Sequence, residues 1–161
     1  MTSSSDTSAS RLLPLLADRD LAEPLAWRGG QPISGHRFLR DVRRLAQQLP
    51  VAGPVLNLCA DRYAFAVGLG AALSRGHASL LPPDARADTL GRLATPGGST
   101  YVLTDDAQLR APGLPCHLVD FWEPEDATSA LGAEAVPGFA PGVHAVSLLT
   151  SGSTGVPQAH A

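Results

Sequence analysis

The chain has 161 residues, 44% of them hydrophobic, which suits one compact domain with an ordinary core and argues against disorder in the bulk of the sequence. A net charge of −3 and a pI near 5.9 leave no basic footprint, so nucleic acid is not an expected partner. No lysine occurs, and the twelve cations are all arginine, which constrains any nucleotide motif that uses lysine.

The start of the chain lacks the basic segment of a signal peptide. Its apolar run, Leu12 to Ala17, is shorter than the roughly 7 residues such a leader needs, so a cytoplasmic location is expected. The longest uncharged helix-like run, Tyr63 to Ser74, is well short of the ~20 residues that cross a bilayer, and no membrane span is expected. Cys59 and Cys116 form neither a disulfide framework nor metal-ligand spacing, and both read as buried free thiols.

In chain order, residues 1–10 are a Ser/Thr-rich tail with too little apolar surface to offset ordering. Leu25 to Trp27 and Gln31 to Ile33 flank Arg28-Gly29-Gly30, which predicts a β-hairpin. From Ser34 the spacing of Phe38, Val42, Leu45 and Leu49 predicts an amphipathic helix. Ser34 is its N-cap, Pro50 follows its end, and Arg37, Arg40, Asp41, Arg43 and Arg44 form a solvated face. Pro54 to Cys59 then reads as a buried strand and Tyr63 to Leu73 as a helix whose small residues let it approach a sheet.

The alternation continues with a strand at Ala78 to Leu81, a helix at Ala85 to Ala94 and a strand at Tyr101 to Thr104. Leu118-Val119 is a further candidate strand, Glu123 to Pro141 is loop-like, and His144 to Leu149 is a last strand. Strand and helix alternating at this spacing predict βαβ units, hence an α/β fold of three layers, doubly wound around a mainly parallel sheet.

That last strand runs directly into Thr150-Ser151-Gly152-Ser153-Thr154-Gly155-Val156-Pro157. Glycines let backbone N–H groups converge on one point, and the hydroxyls of Thr150, Ser151, Ser153 and Thr154 add donors without bulk, so the string suits a phosphate chain. Composition alone also allows a flexible Ser/Gly connector.

The ordered string, after a hydrophobic strand and with Pro157 two residues past Gly155, resembles the phosphate-loop signature of the AMP-forming acyl and aryl ligases. That signature runs Thr-Ser-Gly-Ser/Thr-Thr-Gly-x-Pro-Lys-Gly. Gln158-Ala159 stands where the family usually has Lys-Gly, which removes a point charge that helps hold phosphates. Some branches carry Pro-Gln-x-His here with a lysine slightly later, and the acyl ligases of aryl-polyene pigment clusters are the branch this ending resembles.

The resemblance implies that residues 11–161 are an incomplete N-terminal AMP-binding domain, the first part of a larger adenylate-forming one. Its phosphate-binding residues would be Thr150, Ser151, Gly152, Ser153, Thr154 and Gly155, with no catalytic or metal-ligating residue in the chain. It further implies ATP and Mg2+, a carboxylic acid activated as an acyl-adenylate, and transfer to a thiol of coenzyme A or an acyl carrier protein. The stop just past the signature reads as truncation. The alternative is a non-catalytic α/β module that keeps the loop for structure or partner contacts.

Rival motifs fail. A Walker loop needs a lysine, no G-x-G-x-x-G follows the first buried strand, and the G-x-S-x-G elbow breaks at Thr154. The five histidines, His36, His77, His117, His144 and His160, are scattered and read as packed or surface residues. Asp105-Asp106, Asp120, Glu123, Glu125 and Asp126 read as solvated loop charge.

Overall fold

The computed structural model describes residues 12–94, 98–120, 136–151 and 157–160. A two-residue strand β1 (Leu13–Pro14) leads to the hairpin of β2 (Pro24–Arg28) and β3 (Gln31–Ser34). Arg28 pairs with Gln31 in register, and the two residues between them, Gly29 and Gly30, have φ of 57° and 78°. Positive φ at both positions is the requirement of a type I′ turn, and this is why the Gly-Gly pair predicts the hairpin correctly.

Helix α1 (Gly35–Gln48) starts where the Ser34 hydroxyl accepts the Arg37 N–H at 3.2 Å, and its Phe38, Leu39, Val42 and Leu45 are buried. One expectation for its polar face is corrected. Asp41 is only 6% exposed, because the Tyr63 hydroxyl donates to its Oδ2 at 2.6 Å and Arg37 lies 3.5 Å from the same oxygen. The solvated face therefore excludes Asp41 and most of Arg37. Burial, then the bond to Asp41, pushes the Tyr63 phenol far above its ordinary range, so it stays a donor. Tyr63→Phe leaves a buried carboxylate short of one partner and should cost about 1.5–3 kcal/mol, the range for hydrogen bonds to charged groups. Urea denaturation checks this.

The strand β4 (Val55–Asn57) is followed by α2 (Arg62–Ser74), β5 (Ser79–Leu81), α3 (Ala87–Leu93), β6 (Tyr101–Thr104) and β7 (Cys116–Leu118). Asp61 caps α2 by accepting the Ala64 N–H at 2.8 Å. The small residues of α2 act as expected: a Cβ on Gly68 would come within 3.0 Å of the Asn57 amide, and one on Gly70 within 3.0 Å of Val42. The helix can thus lie against the sheet on one side and α1 on the other.

After β7 come β8 (Gly138–Phe139), β9 (Val146–Ser151) and β10 (Pro157–His160). One sheet has the order β10-β9-β5-β4-β6-β7, in which the five strands from β9 to β7 are parallel and β10 runs antiparallel to β9. The chain moves one way from β4 to β5 and the other way from β5 to β6, which places α2 and α3 on opposite faces. Val55, Tyr101 and Leu103 accordingly pack with α1 and α2, whereas Leu56 and Val102 pack with Leu90 of α3. This is the three-layer, doubly wound, mainly parallel arrangement that the alternation predicts.

Five strands differ from the sequence reading. β1 and β8, the latter inside the stretch read as loop, pair through Leu13↔Phe139; β7 spans Cys116–Leu118 rather than Leu118-Val119; and β10 forms over the tail of the signature. β9 begins at Val146 rather than His144 and continues through Thr150 and Ser151. The tail at residues 1–10 and the acids Glu123, Glu125 and Asp126 lie outside the described residues. Among those residues, no helix is long and apolar enough to cross a membrane.

Candidate functional site

All five parallel strands end on one edge of the sheet, the edge where open α/β sheets bind ligands. β9 carries Thr150 and Ser151 to it, and the chain returns along β10 with Pro157 opposite Ser151 and Gln158 opposite Thr150. The predicted phosphate loop is therefore the connection of an edge hairpin. Gly152, Ser153, Thr154 and Gly155 lie outside the described residues. Only the two ends of the string, Thr150-Ser151 and Pro157-Gln158, are placed.

Two strand positions away, roughly 10 Å by ordinary strand spacing, β4 and β6 end beside each other. Here the Asp105 carboxylate accepts two backbone N–H groups from the β4–α2 turn, Ala60 at 2.9 Å on Oδ1 and Asp61 at 2.7 Å on Oδ2. The Asp61 carboxylate, besides capping α2, lies 3.7 Å from Arg28 at the hairpin tip. The hairpin thus reaches the same edge of the sheet as the β9 loop.

Burial alone would raise the Asp105 pKa, but the bonds from Ala60 and Asp61 and the Arg28 charge outweigh it and hold the group below the usual carboxylate range. A depressed pKa contributes stability above the unfolded value near 3.9 that is lost as pH falls through the folded value. The reading of Asp105 as solvated loop charge is therefore corrected. Asp106 is exposed, as expected.

Both cysteines are free, but only Cys59 is buried; Cys116, on the outermost parallel strand, is exposed, which corrects that half of the expectation. Burial, with Asp105 and Asp61 nearby, pushes the Cys59 thiol up to about 12, so it remains protonated and is no nucleophile at neutral pH.

The described histidines do not converge. His36 is exposed, and His77 is buried with Nδ1 at 2.9 Å from the Tyr101 hydroxyl and Nε2 at 3.3 Å from the Val51 carbonyl. A carbonyl only accepts, so Nε2 carries the proton and Nδ1 accepts from Tyr101. The ring of His117 packs edge-on against Tyr101, and His144 Nε2 lies 2.6 Å from the Ser147 hydroxyl. Among the described residues no three His, Cys, Asp or Glu side chains are grouped to hold a metal ion. A groove of about 350 Å³ lies at the opposite end of the sheet, between 51–54 and 75–78.

No protein-family description matches the chain, and no curated protein matches it by sequence. Solved structures do. The N-terminal subdomain of NpsA from Klebsiella oxytoca superposes with a TM-score of 0.56 at 15% identity, over 81% of this chain and 35% of that one. A structure of the same subdomain in complex with 3-hydroxybenzoyl-AMSN gives the same TM-score of 0.56. The o-succinylbenzoate CoA synthetase MenE from Bacillus subtilis, a double mutant bound with a product analogue, gives 0.54 at 17% identity, over 80% of this chain and 28% of that one.

The fold matches part of an adenylate-forming N-terminal domain. At these identities the likeness concerns the fold alone, and the chain spans about a third of the length of the structures it matches. Within the sheet, β9 is the parallel strand at one side, and β4 and β6 lie in the interior.

Proposed function

We propose that this chain is the N-terminal part of an ATP-dependent ligase that activates a carboxylic acid as an acyl-adenylate and passes it to a thiol, of coenzyme A or a carrier protein. One observation carries the reading. The Thr150 to Gly155 string, which resembles the ligase phosphate loop, continues from the ligand-binding end of a parallel strand in a sheet that matches the adenylate-forming fold.

Thr150, Ser151, Ser153 and Thr154 supply hydroxyls, and Gly152 and Gly155 allow the backbone N–H groups to approach, a donor set suited to an anion of several oxygens. Bound ATP would supply the α-phosphate that the carboxylate attacks, with Mg2+ offsetting its charge. The role of this chain is to orient the phosphates by donors that need no reorganisation. Its Gln158, at the usual lysine position, is a residue type that can donate hydrogen bonds but carries no positive charge.

The chain alone should not catalyse carboxylate-dependent exchange of pyrophosphate into ATP, because it spans only about a third of the length of the adenylate-forming structures it matches in fold. Exchange above background by the purified chain, abolished by Thr154→Ala, would contradict this. A longer protein containing the chain should show the exchange, and its failure to do so with a panel of acyl and aryl acids would favour a non-catalytic module.

A further inference from the structure

In a doubly wound sheet the favoured ligand crevice lies between adjacent strands whose onward connections leave in opposite directions. Here those strands are β4 and β6: the chain goes from β4 across to β5 on one side and from β6 to β7 on the other. The turn leaving β4 presents the N–H groups of Ala60 and Asp61 at the start of the thirteen-residue helix α2, a combination that elsewhere receives a ligand's phosphate. In this chain both N–H groups are already donated to a single side chain, Asp105, 44 and 45 residues further along.

We propose that Asp105 is the chain's own anion at this position: its carboxylate fills the β4/β6 crevice, fixes the Ala60–Asp61 turn and closes the crevice to phosphate-bearing ligands. A phosphate arriving there meets the carboxylates of Asp61 and Asp105 and finds neither amide available. The Asp61 carboxylate is itself committed to the Ala64 N–H and to Arg28, so it does not swing away to admit one. The two amides are held by charge-assisted bonds, which are roughly twice as strong as neutral ones. Asp105 is thus a positioning residue that ties the end of β6 to the start of α2 and leaves the β9 end of the edge as the place for anions. The inference does not depend on what the β9 loop binds.

The test follows the backbone amides of Ala60 and Asp61 by NMR in the full 161-residue chain. In the unsubstituted protein, millimolar inorganic phosphate should leave both signals unmoved. In Asp105→Ala, sodium formate, a carboxylate of the size removed, should shift both signals saturably and raise the midpoint of urea unfolding, with no such rise in the parent. Phosphate-induced shifts of these two amides in the parent, or a folded Asp105→Ala that ignores formate, would overturn the proposal.

Should the alanine variant not fold, Asp105→Asn decides. Its side chain accepts from only one of the two amides, so hydrogen exchange at Ala60 or Asp61 should quicken by at least about tenfold while the rest of α2 is unchanged. Unaltered exchange at both would overturn the proposal. Because the readout excludes Thr150 to Gly155, a failure here is distinct from a failure of the proposed ligase function.

Discussion

Gly53→Ala should lower the stability of the chain by roughly 3 kcal/mol or more, enough to threaten folding of a domain this size. Gly53 has φ of 123°, a conformation L side chains rarely adopt, and a Cβ there would collide with the Ser99 carbonyl group. Ser99 cannot retreat cheaply, because the two nearest of its atoms are backbone. Pro54, the next residue, accepts the Tyr101 N–H at 3.2 Å, and Val55 donates to the Ala78 carbonyl at 2.9 Å. A shift at Gly53 therefore disturbs the start of β4 against β5 and β6 together. Gly30→Ala is the control: its φ of 78° is also positive, but a Cβ there meets nothing within 4 Å. It should cost only about 1–2 kcal/mol. Urea midpoints of the two variants that differ by less than the error would contradict the argument.

The largest effect on activity is expected at the β9 loop, in a longer protein that carries out the adenylation step. Ser153→Ala removes one donor to a charged group and should cost on the order of 1.5–3 kcal/mol in that step. Gly152→Val should be worse, because it adds a branched Cβ at a glycine that the proposed function places against the phosphates. The reading is wrong if Gly152→Val leaves the adenylation rate and ATP affinity within about twofold of the parent, a change worth less than one such bond, while the protein stays folded.

What was legible in the sequence was whatever a local period or an adjacent residue decides. Phe38, Val42, Leu45 and Leu49 fix α1, Ser34 fixes its start, Gly29-Gly30 fixes the hairpin, and the apolar runs at Val55, Leu80, Tyr101 and Val146 became the four main parallel strands. β1 and β8 are two residues each, too short to show any period, and exist by pairing with one another across the chain. Asp41 and Asp105 depart from the sequence expectation for a related reason. Their partners, Tyr63 and the Ala60–Asp61 turn, lie 22 to 45 residues away, and nothing beside either aspartate announces them. Cys116 was expected inside because cysteine packs as a small hydrophobe, yet it sits on the outermost parallel strand, where an alternating side chain faces solvent.

β10 carries a signal in the sequence. A five-residue connection containing two glycines between two short runs is a hairpin pattern, and Pro157 to His160 is both the return strand and the tail of the signature. The pairing of Gln158 with Thr150 gives that tail a structural place beside the strand that carries the loop.

The proposed binding of ATP phosphates by the Thr150 to Gly155 string is tested by an amide NMR titration of this chain with MgATP and with pyrophosphate. Saturable shifts are expected at Thr150 to Gly155 for both ligands, weakened by Ser153→Ala, with Ala60 and Asp61 silent. Shifts confined to other parts of the chain, or none in that string at millimolar ligand, would contradict it.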